Sequence, residues 1–172
     1  MERTLVLLKP DAIQRGLVGR ILTRFEEKGL KIVALKQQRF PVELIEKHYE
    51  EHRKKPFFAD LVGFMTSGPA VALILEGKGA IEITRRLMGE TSAAKAAPGT
   101  IRGDFGMSFS NNLVHGSDSA ASAEREIRHF FPDERDIAEW TSAQEGWIYS
   151  SEELGTKKDG GRTKPAVAHS KP

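Results

Sequence analysis

Apolar positions along the chain fall into short runs of two kinds, and their spacing predicts the elements. Residues 4–8 (TLVLL) form an unbroken apolar run closed by Lys9-Pro10-Asp11 and read as a buried strand. Leu17, Ile21, Leu22 and Phe25 then recur at helical spacing, with Gly29 where a left-handed cap ends a helix. Alternation returns over 30–40 (LKIVALKQQRF), a second strand closed by Pro41. Leu44, Ile45, His48 and Tyr49 predict a helix that Pro56 interrupts, and Phe57, Phe58, Leu61, Val62 and Met65 predict another, stopped by Ser67-Gly68-Pro69. Residues 70–75 (AVALIL) are the third strand, and 80–88 a short helix with Ile81, Ile83 and Leu87 ending at Gly89. No apolar period runs through 90–106, which reads as a long loop. Residues 107–114 are expected to form the fourth strand and 119–131 a helix with Ile127 and Phe130 facing inward. Trp140, Trp147, Ile148 and Tyr149 are expected to pack a C-terminal segment back on the domain.

With the extra helices treated as insertions, this order is βαββαβ. It predicts an α/β (α+β) fold of the ferredoxin-like type: a four-stranded, mostly antiparallel sheet with helices on one face, an inserted helical pair, and a long loop before the last strand. At 172 residues the chain suits one domain, placed at 1–150. From about Ser150 the composition turns to Gly, Lys, Thr and Pro, so 151–172 is expected to be a disordered polar tail.

Composition removes several classes. Nothing approaches the roughly 18 consecutive apolar residues of a membrane span, and the run at 5–8 is too short for a signal peptide, so the expectation is a soluble cytoplasmic protein with no membrane partner. The absence of cysteine excludes disulfides and thiol chemistry. The net charge of +2 resides entirely in 152–172, with five Lys/Arg against three Asp/Glu, so nucleic-acid binding is not indicated.

No Walker A loop, Gly-x-Gly-x-x-Gly, His-Glu-x-x-His or Gly-x-Ser-x-Gly motif occurs. Phosphate chemistry would have to use dispersed side chains. Arg85, Thr91 and Arg102 lie in or beside the apparent loop, where guanidinium forks and a hydroxyl suit phosphate oxygens. The sharpest feature is Asn111-Asn112-Leu113-Val114-His115-Gly116-Ser117-Asp118-Ser119. A neutral imidazole at a strand end, then glycine, then a helix N-terminus, could accept a phosphoryl group. An ordinary N-cap beside a structural histidine is the commoner meaning of such spacing and stays open.

Taken together, Lys9-Pro10-Asp11, Asn112-x-x-His115-Gly116-Ser117-Asp118 and Pro98-Gly99-Thr100-Ile101-Arg102-Gly103-Asp104-Phe105 resemble the nucleoside diphosphate kinases. Arg15-Gly16-Leu17, Lys55-Pro56-Phe57-Phe58, Ser67-Gly68-Pro69 and Gly89-Glu90-Thr91 extend the likeness over about residues 2–149. The resemblance implies ping-pong transfer of a γ-phosphoryl group, mainly from ATP, through a phosphohistidine at His115 to any nucleoside diphosphate. It implies that Lys9 holds phosphate and ribose, Asn112 holds the ribose, and Arg85, Thr91 and Arg102 bind phosphates. Phe57 would stack on the base beside Leu61, Tyr49 would approach the transferred group, and Glu126 and Ser117 would orient the histidine. Mg²⁺ would enter on the nucleotide, and the protein would be a homo-oligomer, hexameric rather than tetrameric. Two departures stand out: Lys55 where arginine is common, and Ser92 to Ala97 (SAAKAA) where many members carry Asn-Pro.

From the residues alone, blander roles stay open. Phe57 and Leu61 could be core, Tyr49 and His48 a solvated helix end, Arg85 a helix-dipole partner, and Glu126 a surface ion-pair residue. The rival functions are an RNA-binding module, against which the aromatic-free 70–75 and 4–8 argue, and a histidine phosphocarrier.

Overall fold

The computed structural model describes residues 1–155. Four strands, β1 (Glu2–Leu8), β2 (Lys31–Gln38), β3 (Ala70–Gly77) and β4 (Val114–Gly116), form one sheet in the order β2-β3-β1-β4. Every neighbouring pair is antiparallel, which sharpens the expected mostly antiparallel sheet. Between the strands lie α1 (Pro10–Gln14), α2 (Val18–Glu27), α3 (Val42–His48), α4 (Phe58–Thr66), α5 (Ala80–Met88) and α6 (Ile101–Phe105), and α7 (Ala120–Phe130) follows β4. The strand order and helix placement are those of the ferredoxin-like βαββαβ fold, with α3 and α4 inserted between β2 and β3.

Helices cover both faces of the sheet, not one as expected. Side chains alternate along a strand, so Val6 and Leu8 of β1 and Val71, Leu73 and Leu75 of β3 face one core with Ile21 and Phe25 of α2 and Met88 of α5. Leu5, Leu7, Ala70, Ala72 and Ile74 face the other, with Ile45, Val62, Met65 and Phe130 from α3, α4 and α7. The inserted helices supply that second layer. Coverage on both sides is why β3 reads as an unbroken apolar run and is buried at all eight positions. Each fully buried leucine of β1 contributes about 1.5–3 kcal/mol, and Leu5, Leu7 and Leu8 are all fully buried.

Three local expectations are corrected. The stretch 107–114 is irregular until Val114, and Met107 and Phe109 are exposed. β4 pairs only with Val6 to Leu8; beyond Leu8, Pro10 opens α1, so nothing remains for 107–113 to pair with. The supposed loop 90–106 contains α6, too short to show a period and interrupted by Gly103, while Ala93 and Ala96 anchor the turns before it. α1 also escaped the pattern, its five residues being less than two turns.

Met1–Ala138 form one compact unit and the chain from Glu139 a second. The second contains α8 (Glu145–Ile148). Trp140, Trp147 and Ile148 are exposed, and the four residues of α8 offer too little apolar face to bury the last two. The expected tail lies outside the described residues from 156 onward. Among the described residues no helix is long and apolar enough to cross a membrane.

Candidate active site

β4 sets the direction of its central residue. Val114 enters the first core and Gly116 lies against Met88, so His115, opposite Leu7, emerges on the other face. There its Nε2 lies 3.1 Å from Oε2 of Glu126, a buried carboxylate one turn before the end of α7. The Ser117 hydroxyl donates to the same oxygen at 2.8 Å and accepts from the Leu5 N–H at 3.3 Å, tying the carboxylate to β1. An ionised carboxylate only accepts, so Nε2 carries the proton and Nδ1 keeps the lone pair. α7 begins with a capping box between Ser119 and Ser122, and the Ser122 hydroxyl donates to Asp118 at 2.7 Å. The Ser/Asp run is thus an N-cap that also points α7 at the histidine.

Lys9 ends β1 and is nearly buried; its Nζ donates to Oδ1 of Asn112 at 2.7 Å. The Asn112 amide donates in turn to the carbonyls of Thr91 and Phe109, at 3.0 and 2.9 Å. Burial, reinforced by the Arg102 charge, pushes Lys9 down to about 8 from its ordinary 10.5. Arg102, on α6, donates to the carbonyls of Gly89 and Val114 at 2.7 Å each and of Asn112 at 3.3 Å. Burial and then the Arg85 charge lower it to about 10, leaving it cationic at neutral pH. Arg85, exposed on α5, reaches toward the Gly116 carbonyl at 3.5 Å.

These groups line a cleft of about 940 Å³. Phe57 stands at its edge 48% exposed, with the His52 ring 5.7 Å away, so it is not a core residue. Leu61 does both jobs, half-buried against the second core while lining the cleft. Tyr49 is buried, its ring 5.9 Å from His115, and its hydroxyl has no partner among the described residues. Burial, then the Glu126 charge, raises that phenol, so it stays protonated.

Ten of the eleven predicted side chains line this one cleft: Lys9, Tyr49, Phe57, Leu61, Arg85, Thr91, Arg102, Asn112, His115 and Glu126. Ser117 sits behind Glu126 instead. Sequence reasoning passed over three residues. Asp11 accepts from the Leu113 N–H at 3.1 Å and fixes the turn into β4; its place in the first turn of α1 was the available signal. His52 flanks Phe57. His48 packs edge-on against His115, ring centroids 4.6 Å apart, and sits three residues after Ile45 on the buried face of α3.

A ferredoxin-like sheet, a cationic cleft and a carboxylate-held histidine define a phosphoryl-handling protein that works by positioning. Residues 2–135 match the nucleoside diphosphate kinase family. The nucleoside diphosphate kinase of Archaeoglobus fulgidus is 58% identical over 149 residues, 87% of this chain and 98% of that protein. A halophilic nucleoside diphosphate kinase from Halobacterium salinarum, solved in complex with CDP, superposes with a TM-score of 0.84 at 51% identity, covering 86% of this chain and 98% of its own. A nucleoside diphosphate kinase family protein from Babesia bovis gives 0.84 at 48% identity, covering 87% and 100%. The chain belongs to the nucleoside diphosphate kinase family, and its reaction is transfer of the γ-phosphoryl group of a nucleoside triphosphate to a nucleoside diphosphate.

Proposed function

We propose that the transfer runs in two halves through His115. Nδ1 attacks the γ-phosphorus of a bound nucleoside triphosphate, the N–P bond forms as the bond to the β,γ-bridging oxygen breaks, and the nucleoside diphosphate leaves. A second diphosphate then takes the phosphoryl group by the reverse path. The observation that carries this reading is the Ser117–Glu126–His115 chain on the wall of the cationic cleft. Glu126 fixes the tautomer and stabilises the ring as it gains positive charge. Arg102 and Arg85 neutralise the transferring oxygens, joined by the Thr91 hydroxyl, and the Tyr49 hydroxyl is available to the transferred group. Lys9 and Asn112, held together at 2.7 Å, offer the ribose hydroxyls a donor and an acceptor.

Phe57 supplies a stacking face, which every base satisfies, so selectivity among bases is low. A CDP-bound relative supports a diphosphate as occupant of the cleft. Magnesium belongs to the substrate. The described residues offer one trio able to hold a metal, His48, His115 and Glu126, and two imidazoles suit Mg²⁺ poorly. The same family likeness supports a cytoplasmic homo-oligomer, with a hexamer favoured over a tetramer; light scattering at working concentration distinguishes them.

The test is to incubate protein with γ-labelled ATP and Mg²⁺ without acceptor, isolate it, and then add GDP. Acid-labile label that moves to GDP, and does not form on His115→Asn, is the expected result. Transfer to GDP without labelled protein, or label that GDP cannot collect, overturns the reading.

A further inference from the structure

We propose that His48, His115 and Glu126 form a binding site for zinc, and that zinc bound there blocks phosphorylation of His115. One ligand atom from each residue lies within 4.8 Å of the other two. Tetrahedral zinc with bonds of about 2.0–2.1 Å needs its ligands roughly 3.4 Å apart. His115 and Glu126 already come close to that at 3.1 Å, and a shift of about 1.4 Å by the His48 ring completes the set. An independent observation points the same way. His48 is 9% exposed, yet neither of its ring nitrogens has a hydrogen-bond partner among the described residues. Buried polar groups are nearly always satisfied, so a lone pair left over beside two metal-binding side chains is a vacancy for a ligand bond.

Two imidazoles and a carboxylate leave a fourth position for water, as in open zinc sites, while hard magnesium with its preference for oxygen is rejected. The Ser117 hydroxyl, already on Oε2, steadies the carboxylate from outside. The metal enters from the cleft, which His115 and Glu126 line. Its effect on chemistry follows from proton bookkeeping. Zinc takes the Nε2 lone pair, the Nε2 proton passes to solvent, and solvent returns one to Nδ1. The ring stays neutral but now carries hydrogen on the nitrogen that must attack phosphorus. The consequence for turnover rests on the phosphohistidine reading above; the metal site itself does not.

The experiment titrates chelator-stripped protein with zinc alone against a chromophoric zinc indicator, in wild type, His48→Gln and Glu126→Gln, with thermal melts to verify folding. Tight uptake of one zinc per chain, weakened at least tenfold in each variant, is expected. At buffered free zinc, the rate of wild-type labelling by γ-labelled ATP should fall with occupancy and return on adding a zinc-selective chelator. Nucleotide affinity by equilibrium dialysis should stay within twofold. Equal zinc affinity in wild type and whichever variants fold, or full-rate labelling of zinc-loaded protein, overturns the proposal. Should zinc bind as described while zinc-free protein takes no label, the phosphohistidine reading fails and the site stands.

Discussion

In the proposed transfer, His115 owes its reactivity to what its other nitrogen does. With Nε2 held by Glu126 at 3.1 Å, the lone pair falls to Nδ1, the nitrogen assigned to attack phosphorus. Glu126→Gln keeps the shape but removes the charge, and an amide can present its NH₂ to Nε2 and reverse the tautomer. Labelling by ATP should slow by about 10²-fold with little change in nucleotide affinity, measured by rapid quench and dialysis. Lys9 titrates near working pH. Its folded pKa of about 8 lies below the 10.5 of the exposed side chain, so the free enzyme loses this cation as pH rises through 8. Accordingly kcat/KM should fall on the alkaline side near pH 8, while the limb in kcat, measured with phosphates bound, should lie higher. Lys9→Arg, which stays charged, should lack that limb. The sign for stability is opposite. Between about 8 and 10.5 the unfolded chain binds the extra proton, so Lys9 contributes rising stability with pH across that window.

At the scale of elements, the site depends on a three-residue strand that cannot stand alone. β4 is held by β1 on one edge and by Arg102 of α6, which donates to the Val114 carbonyl and to that of Asn112 just before the strand, while its third bond ties in the Gly89 carbonyl at the end of α5. Leu113 enters it at a φ of 72°, a conformation costing a leucine roughly 1–2 kcal/mol. Two bonds keep it there: its N–H donates to Asp11, and its carbonyl accepts from the Lys9 N–H at 2.8 Å. Gly116 marks how closely α5 approaches, since a Cβ there would lie 2.7 Å from the Met88 sulfur. Gly116→Ala should therefore cost about 1–3 kcal/mol in urea unfolding and slow labelling as β4 shifts. The resemblance pointed to His115 and Arg102, but not to the backbone that Arg102 serves. Carbonyl partners leave no trace in sequence, because every residue type supplies one.

At the scale of the whole molecule, every predicted site residue falls within Met1–Ala138. Removing 151–172 should therefore leave kcat and the amount of labelled protein within twofold, and a larger loss would give the tail a catalytic role. The expected placement of helices on one face failed here, and instructively. A helix at 42–48 or 58–66 was readable from its period, but which face of the sheet it covers depends on where the chain crosses. The continuous apolar run of β3 was the available clue that both faces are covered.

The succession of strands and longer helices along residues 2–88 was determined by the chain itself, because hydrophobic period and Pro/Gly punctuation are local properties; the five-residue α1 was too short to show a period. The chemistry was legible only through the family resemblance, whose motifs carry Lys9, Arg102, His115 and Gly116; spacing alone left His115 open to a structural role. Tertiary structure decided the rest. It cut the fourth strand to Val114–Gly116, because pairing needs a partner strand and β1 ends at Leu8, opposite Val114. It also settled His48, for which a solvated helix end had stayed open, as a buried neighbour of His115, because burial depends on what a helix face meets across space.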